Sequence, residues 1–529
     1  MYNKYSITVL SFFFLILLFP FLGIFSKINY NIEEILNFLK NSYTQSIIFF
    51  SFYQAFLSAL ISCILAIPFA LALNRHKDHK IIRYIISLCG FSFVIPSILI
   101  VFSVIKIFGY NGILNKYFSF YEFISIDSIY GLKAILIAHV LLNTPFATRL
   151  FVQNLNNIPK NLYEISESIN LSFFGNIFKL EIPIIRQSLF AIFSIIFSLC
   201  FLSFAIVMAL GGSPKNSTLE VAIFQYAFFD LNFNKAVMLS FIQIIICITF
   251  AFIGFYKFKG SNFFEIGSIK YKHPHKNKIL IKLIDYFLIV FFSIFLFSPV
   301  ILLYSEFLKS IFFEIELTFT FIRAFINSIL ISLSTGVVVS IFGLLISYLL
   351  VINHKNFLLQ QLLFLTSSMI LIISPIIFSL GYFIFFQPII HYSYLKFFLV
   401  ILINVIFLLP FAILIFFNNF KNLYLNFNDF RKTYRIELFS YIKIIFPLLK
   451  NNFLYVFSFS TAITLGDFTI ISFFRNENFE TLPSYLFKLI STYQFNEASF
   501  VAGTILMISM TIYFFIDNLN YQGRPDIST

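Results

Sequence analysis

The sequence has no tryptophan, only four cysteines and only 11% charged residues. A soluble globular chain is about a quarter charged and roughly half apolar, whereas 60% of these 529 residues are hydrophobic and 81 are phenylalanine. Cores of ordinary soluble domains cannot bury so much aromatic surface. The composition therefore excludes a soluble enzyme, a secreted disulfide scaffold and a disordered chain. It predicts an all-α, polytopic integral membrane protein.

Motifs for metal, cofactor or nucleotide chemistry are also missing from the sequence. The four cysteines lie singly in apolar stretches, and neither a Cys-x-x-Cys nor a His-Glu-x-x-His pattern occurs. The sequence therefore predicts no metal site and no catalytic residue. It also lacks G-x-x-x-x-G-K-[ST], the loop that cradles nucleotide phosphates. We expect that the chain is not an enzyme and needs no cofactor.

The hydrophobic runs supply twelve stretches of about the 20 residues that a helix needs to cross a bilayer. The first run lacks a small-residue cleavage site, so we expect a retained span rather than a removable signal. The predicted spans are 7–25, 47–74, 84–107, 131–148, 187–210, 236–255, 283–304, 323–352, 358–386, 395–419, 451–474 and 499–517.

Positive charge is distributed unevenly between the two sets of loops that these spans define. With the N-terminus inside, the inner loops hold 24 Lys and Arg residues and the outer loops hold 8. Cytoplasmic loops carry the excess of Lys and Arg, so both termini are predicted to be cytoplasmic. Since the charges fall in short loops between apolar runs, they form no continuous basic face, and no nucleic-acid partner is expected.

Residues of similar context recur at offsets of 263 to 265 positions, which predicts an internal repeat. The matched positions are Pro145 with Pro410, Pro183 with Pro447, and Thr218 with Thr481. With six spans in each repeat, both repeats have the same orientation in the membrane. We therefore divide the chain into a first half (1–262), a hydrophilic linker (263–282) and a second half (283–529).

Two long cytoplasmic loops, 149–186 and 420–450, join the fourth span to the fifth in each half. Each loop is partly apolar and is predicted to form two short helices. In the first loop Leu162, Ile165 and Ile169 recur at helical spacing and form one apolar face. An exposed apolar face indicates a partner that covers it. The alternative is that this helix lies flat on the lipid headgroups.

The ends of the two helices in the first loop are marked by residues with known capping preferences. Asn157 can cap the first helix, and Pro159 suits its first turn. Asn170 tolerates a left-handed backbone conformation and is predicted to end that helix. Ser172 is predicted to cap the helix that follows.

This loop resembles that of ABC-importer permeases, which carry E-A-A, a Gly six residues after the Glu, and I-x-L-P ending thirteen residues after the Gly. The chain has E-I-S at 164–166, Asn170 at the glycine position and L-E-I-P ending at Pro183. The resemblance implies that Glu164, Ser166, Asn170 and Pro183 shape a helix that couples the permease to an ATPase.

The second loop departs from the pattern. Its Pro447 fits, whereas the turn position falls at Tyr434 or Arg435. Neither residue is comfortable at positive φ. This departure leaves open whether the second loop binds the ATPase as fully as the first loop does.

Further stretches resemble the fused permease subunits of bacterial thiamine importers along nearly the whole chain. These stretches are 51–62, 130–159, 199–225 and 464–487, and the L-G-G and L-G-D-F segments are the most distinctive. The resemblance implies an inner-membrane subunit that delivers thiamine and its phosphates. It also implies two partners, a periplasmic substrate-binding protein and a homodimer of a separate ATP-binding cassette subunit. Ferric-iron permeases share the fused two-half architecture and are the nearest rival.

Three polar residues within the apolar spans are candidates for the translocation pathway, because polar groups at membrane depth are costly. Asp467 could ease the passage of thiamine, which is a cation, although it could instead cap a helix break beside Gly466. His139 and Asn143 lie four residues apart and so share one helix face. They could line the pathway, but a hydrogen bond between helices is the alternative.

A rival from another class is a 6+6 secondary transporter, which is driven by an ion gradient and needs no ATPase. Such a carrier typically has a charged signature in its second-to-third loop and a long central loop. Here residues 75–83 read only RHKDHKIIR, and the amphipathic loops lie between spans four and five instead. A passive channel has less support, because no ring of like charges or filter motif is visible.

Overall fold

The computed structural model describes residues 2–27, 32–118, 130–257, 278–311, 318–352, 374–433 and 438–522. Regular structure in these ranges is helical, apart from an isolated bridge between Asn476 and Phe479. The prediction of an all-α fold is therefore confirmed for the described part of the chain.

The helices comprise long apolar elements and shorter ones. In chain order they are α1 (Tyr2–Phe25), α2 (Ile32–Lys40), α3 (Ser42–Arg75), α4 (Lys80–Phe91), α5 (Ser97–Phe108), α6 (Ile113–Phe118), α7 (Leu132–Leu155), α8 (Lys160–Ser168), α9 (Phe173–Asn176), α10 (Ile182–Phe201), α11 (Ala205–Leu210), α12 (Leu219–Phe228), α13 (Phe233–Lys257), α14 (Ile279–Ile311), α15 (Phe319–Ile352), α16 (Pro375–Phe385), α17 (Ser393–Thr433), α18 (Leu438–Leu465), α19 (Ile471–Phe474), α20 (Leu482–Ser491) and α21 (Phe495–Gln522).

Eight helical stretches in the described ranges are long and apolar enough to cross a membrane. Shorter apolar helices of 10–17 residues occur at Leu15–Phe25, Leu219–Phe228, Phe233–Thr249 and Pro375–Phe385. A multi-pass membrane protein is confirmed, while the number of twelve spans remains a prediction.

Three predicted spans are wrong as single helices, because each is broken within the membrane-length stretch. They are 84–107, 187–210 and 451–474, which the structure divides into α4 and α5, α10 and α11, and α18 and α19. In the first, α5 starts directly after Pro96, a residue with no N–H to continue an upstream helix. In the last, α18 ends at Leu465 just before Gly466. Of the predicted span 358–386, residues 358–373 lie outside the described ranges.

The second long loop also differs from its prediction as two short helices. Helix α17 runs for 41 residues and continues through 420–433, and α18 already begins at Leu438 and contains Pro447. The sequence has no glycine between Gly381 and Gly466 that would end either helix early. Residues 434–437, which include the predicted turn position, lie outside the described ranges.

Matched helices recur in the two stretches that the sequence repeat relates. Helices α3 and α15 both have 34 residues, and α12 and α20 both have 10. The amide of Leu219 at the start of α12 donates to Ser51 Oγ of α3 at 2.9 Å. The amide of Leu482 at the start of α20 donates to Ser328 Oγ of α15 at 2.7 Å. The same serine-to-amide bond thus satisfies an otherwise unpaired N–H at both helix starts.

The described helices belong to two compact units that do not follow the order of the chain. One unit comprises Met1–Ile32, Ile223–Ile248 and Phe313–Thr529, and the other comprises Glu33–Ala222 and Thr249–Phe312. The division into halves at 262 and 283 describes the sequence repeat and stays a prediction, and residues 263–277 of its linker lie outside the described ranges.

In each unit the first long helix of one predicted half packs with helices of the other half. Helix α1 packs against α16, where Gly23 and Gly381 meet so closely that a Cβ on either would collide with a backbone oxygen. Tyr382 Oη in α16 donates to the carbonyl oxygen of Ile16 in α1 at 2.6 Å. In the other unit, α14 packs against α3, α5 and α7.

Candidate functional site

The first candidate site is the segment 160–183, which joins α7 to α10. It contains α8, a turn, α9 and a short π-helical stretch, Ile177–Glu181, that continues into α10. Leu162, Ile165 and Ile169 are all exposed, with Ile165 at 54% and Ile169 at 63%. The predicted apolar face is therefore present and uncovered by the described part of the chain.

A left-handed residue ends α8 at the predicted place. Asn170 has φ of 48°. The amide of Leu171 donates to the carbonyl of Ser166 at 2.9 Å, and the amide of Asn170 donates to the carbonyl of Glu167 at 3.0 Å. This pair of bonds is the Schellman motif, which requires a residue that tolerates positive φ. The prediction for Asn170 is confirmed, and the turn fixes the angle at which α8 leaves the chain.

Two other capping predictions for this segment have different outcomes. Ser172 caps α9 as predicted, since its Oγ accepts from the amide of Gly175 at 3.1 Å. The prediction that Asn157 caps α8 is wrong, because α8 begins at Lys160 with Pro159 itself at the N-cap position. The proline fixes the backbone direction there without a side-chain cap.

The remaining residues of the predicted motif surround α8. Glu164 is exposed, whereas Ser166 is buried and its Oγ donates to the carbonyl of Tyr163 at 2.7 Å. Pro183 lies in the first turn of α10 and is exposed. The structure thus places Glu164, Ser166, Asn170 and Pro183 in one continuous segment. Pro447, the predicted counterpart of Pro183, is exposed within α18.

Because φ is positive at Asn170, the substitution Asn170→Val is expected to open the turn between α8 and α9. A left-handed backbone costs a β-branched residue about 1–2 kcal/mol, so the amides of Asn170 and Leu171 should exchange hydrogen about tenfold faster. Asn170→Gly is the matched control and should keep the exchange rate, since glycine adopts positive φ freely. Equal exchange in the two variants would contradict the assigned role of this turn.

The second candidate site surrounds Asp467, in the break between α18 and α19. Its Oδ1 accepts from the amides of Thr469 at 3.0 Å and Ile470 at 3.2 Å, so the residue caps the helix break. Its Oδ2 accepts from Asn404 Nδ2 of α17 at a longer 3.4 Å. The side chain is only half-buried. Asp467 therefore caps the helix break, as the alternative predicts, and its place on a translocation pathway stays a prediction. One of its carboxylate oxygens is bound less tightly than the other.

His139 and Asn143 are buried on α7, where they bond to neighbouring helices. His139 Nδ1 lies 2.9 Å from Ser58 Oγ of α3. Asn143 Nδ2 donates to Cys200 Sγ of α10 at 3.3 Å. Both residues therefore make the contacts between helices that the alternative predicts. Their place on a pathway stays a prediction. They belong to the unit that contains α3, whereas Asp467 belongs to the other unit.

Sequence reasoning missed Asn404 as a partner of Asp467. Asn404 stands six residues before Pro410, just as His139 stands six residues before Pro145. The repeat offset that relates the two prolines therefore also relates these two polar residues, which was the signal available in the sequence.

Sequence reasoning also missed a buried ionic cluster where the end of α3 meets the start of α14. Arg75 and His76 contact Asp285, and Glu181 of segment 160–183 lies beside the same arginine. The available signal was Asp285 itself, the one acidic residue in the apolar run 279–304. Just outside this cluster, burial lowers the pKa of Lys77, and the nearby Asp78 carboxylate partly opposes that effect.

Known proteins of similar sequence cover most of the chain. The thiamine transport system permease protein ThiP of Haemophilus influenzae is 30% identical over 505 residues, which cover 92% of this chain and 90% of that protein. The protein of the same name from Salmonella typhimurium is 28% identical over 483 residues, covering 91% of this chain and 90% of that protein. No protein-family model matches the chain.

A shorter similarity is to the trehalose/maltose transport system permease protein MalF of Thermococcus litoralis. It is 24% identical over 207 residues, which cover 38% of this chain and 69% of that protein. This relative is a permease of a different transport system, so the similarity reaches beyond proteins with one substrate name.

Proposed function

We propose a function from one premise: the chain belongs to the family of thiamine transport system permease proteins. On that premise the protein is the membrane-spanning subunit of an ATP-driven, binding-protein-dependent importer. Its solute is thiamine, together with the phosphate esters of thiamine. The hydrolysis of ATP takes place on a separate subunit.

The observation that carries this proposal is the exposed apolar face of α8, on a segment whose turn is held by Asn170. A helix with an apolar face binds a partner by laying that face into a groove. We assign the groove to an ATPase subunit, and Glu164, Ser166 and Pro183 to the shape of the segment that enters it. Pro447, on the loop 420–450, marks the position where a second copy of the ATPase would bind.

A homodimer of the ATPase fits a chain with two related halves, because each half would then meet one ATPase copy. Binding of ATP closes such a dimer, and closure moves the two bound segments relative to each other. This rigid-body motion would switch the pathway between inward-facing and outward-facing states. A periplasmic protein would deliver the solute to the outward-facing state.

For the pathway we assign Asp467 to the passage of the thiamine cation. Its Oδ1 is held by two backbone amides, while Oδ2 has the longer contact to Asn404. A single half-buried carboxylate attracts a cation without surrounding it, so that binding stays weak enough for release. His139 and Asn143 are also proposed to line the pathway.

Growth on limiting thiamine tests the substrate. In a bacterium that neither makes nor imports thiamine, co-expression of the chain with its ATPase and binding protein should restore growth. The control omits only the ATPase and should not grow. If this bacterium does not grow, and co-expression instead restores growth of a strain that lacks ferric-iron uptake on limiting iron, the solute is iron and the thiamine assignment is wrong.

The proposed orientation, with both termini cytoplasmic, follows from the threefold excess of Lys and Arg in the inner loops. It is tested with single cysteines at two exposed positions, Asp78→Cys in an inner loop and Lys215→Cys in an outer loop. In intact spheroplasts a membrane-impermeant maleimide should label Lys215→Cys, and it should label Asp78→Cys only after permeabilisation. The parent chain controls for its own cysteines, and the reverse pattern would overturn the orientation.

A further inference from the structure

A buried arginine joins three separate parts of the chain at the end of α3. Arg75 Nε donates to Asp285 Oδ2 at 2.9 Å, and its Nη2 donates to Asp285 Oδ1 at 2.6 Å. This is a bidentate arginine–carboxylate pair, in which the planar fork fixes direction as well as distance. Because Asp285 lies on α14, the pair locks the end of α3 to the first turns of α14.

The same guanidinium also contacts segment 160–183. Arg75 Nη1 lies 3.6 Å from Glu181 Oε2, and the Arg75 Cζ lies 5.2 Å from the centroid of the Phe173 ring. Glu181 Oε1 in turn lies 3.5 Å from Tyr163 Oη of α8. Through these contacts Arg75 reaches both ends of the segment that carries the exposed apolar face.

Arg75 contacts Asp285 more closely than it contacts Glu181. Toward Asp285 it makes two short bonds, and His76 Nε2 adds a third contact to Asp285 Oδ2 at 3.1 Å. Toward Glu181 the separation exceeds that of a hydrogen bond, although both side chains are buried. Removing two charges from water is costly, so a buried ion pair is by itself weak evidence for stability. The cluster therefore holds α3 to α14 firmly and holds the segment to them more loosely.

We propose that Arg75 is a positioning residue for energy coupling, which ties segment 160–183 to α3 and α14. A displacement of the segment by the ATPase is then transmitted to the two transmembrane helices through Glu181, Phe173 and the guanidinium. This inference rests on the proposed function, because it needs an ATPase that moves the segment. Without the ionic link, the segment can move while the helices stay in place.

The test substitutes Glu181→Gln in the full chain, reconstituted with its ATPase and binding protein. The variant keeps the shape of the side chain and leaves the Arg75–Asp285 pair intact. ATPase binding and ATP hydrolysis should stay within twofold of the parent, while thiamine uptake per ATP hydrolysed should fall at least fivefold. Arg75→Lys, which keeps the charge but loses the fork, should lower the same ratio.

Arg83→Gln is the matched control, since Arg83 is exposed and donates to the carbonyls of Lys77 and Asp78 rather than to the cluster. This control should keep the parent ratio of uptake to hydrolysis. If Glu181→Gln and Arg75→Lys are folded and also keep the parent ratio, the inference is wrong while the proposed function stands. Uptake and hydrolysis falling in equal proportion would also overturn it. If the parent chain shows no ATP-dependent uptake, the proposed function fails and the inference fails with it.

Discussion

Ile165→Glu is expected to weaken strongly the association of the chain with its ATPase and, with it, to lower ATP-dependent thiamine uptake. Ile165 is 54% exposed on the apolar face of α8, so its replacement disturbs little of the packing within the permease. In a groove of the ATPase, the new carboxylate would be buried without a partner, which is costly. Loss of a central interface side chain costs about 2 kcal/mol or more, so binding should weaken by about 30-fold or more.

Ile165→Leu is the matched control, because it keeps an apolar side chain of the same volume at the same place. It should bind the ATPase and support uptake nearly as the parent does. Thermal unfolding in detergent should be the same for the two variants. If Ile165→Glu binds the ATPase normally, the face is covered by something else, and lipid headgroups become the better assignment.

Asp467→Asn is expected to lower thiamine uptake about tenfold while leaving the helix cap in place. Asparagine caps helices as well as aspartate does, so the bonds to the amides of Thr469 and Ile470 can persist. The lost interactions are then the attraction between a carboxylate and a passing cation and the long contact from Asn404 Nδ2. A tenfold effect corresponds to about 1.4 kcal/mol. Uptake and thermal stability are measured on the same reconstituted preparation.

Asp467→Ala separates the two roles of this residue. It removes the cap as well as the charge, so it should also lower stability by about 1 kcal/mol. If Asp467→Asn transports like the parent and only Asp467→Ala is impaired, the aspartate serves as a cap alone. In that case the pathway assignment of Asp467 is wrong.

Segment 160–183 was predictable from sequence because its signals are local. Apolar residues at helical spacing define one face of a helix whatever lies around it. An asparagine six residues after Glu164 suits a turn with positive φ, and the structure has φ of 48° there. Capping by Ser172 is likewise decided within four residues of the chain.

The breaks within the spans were not predictable from hydropathy, since an apolar run has the same mean hydropathy whether or not its helix is continuous. Pro96 and Gly466 are visible in the sequence, but prolines also lie inside intact helices here, as Pro145 does in α7. In the second loop the error was reversed, because short helices were predicted where the structure has long ones. Its semi-apolar pattern resembled that of the first loop, yet no glycine interrupts α17 before Thr433.

The Arg75–Asp285 pair could not be predicted, because it joins residues 210 positions apart. Periodicity shows which face of a helix is apolar but not which helices are neighbours. Here α14, which begins the second half of the sequence, packs with helices of the first. The only signal in the sequence was Asp285 itself, because a single acidic residue in an apolar run indicates a charged partner.

We propose that a separate ATPase and a binding protein together drive thiamine through this chain. The decisive measurement is the uptake of labelled thiamine into proteoliposomes that hold the chain with its ATPase, with binding protein and ATP each supplied or withheld. We expect uptake only when both are present. Uptake with neither present would rule out an ATP-driven importer and would identify a secondary carrier.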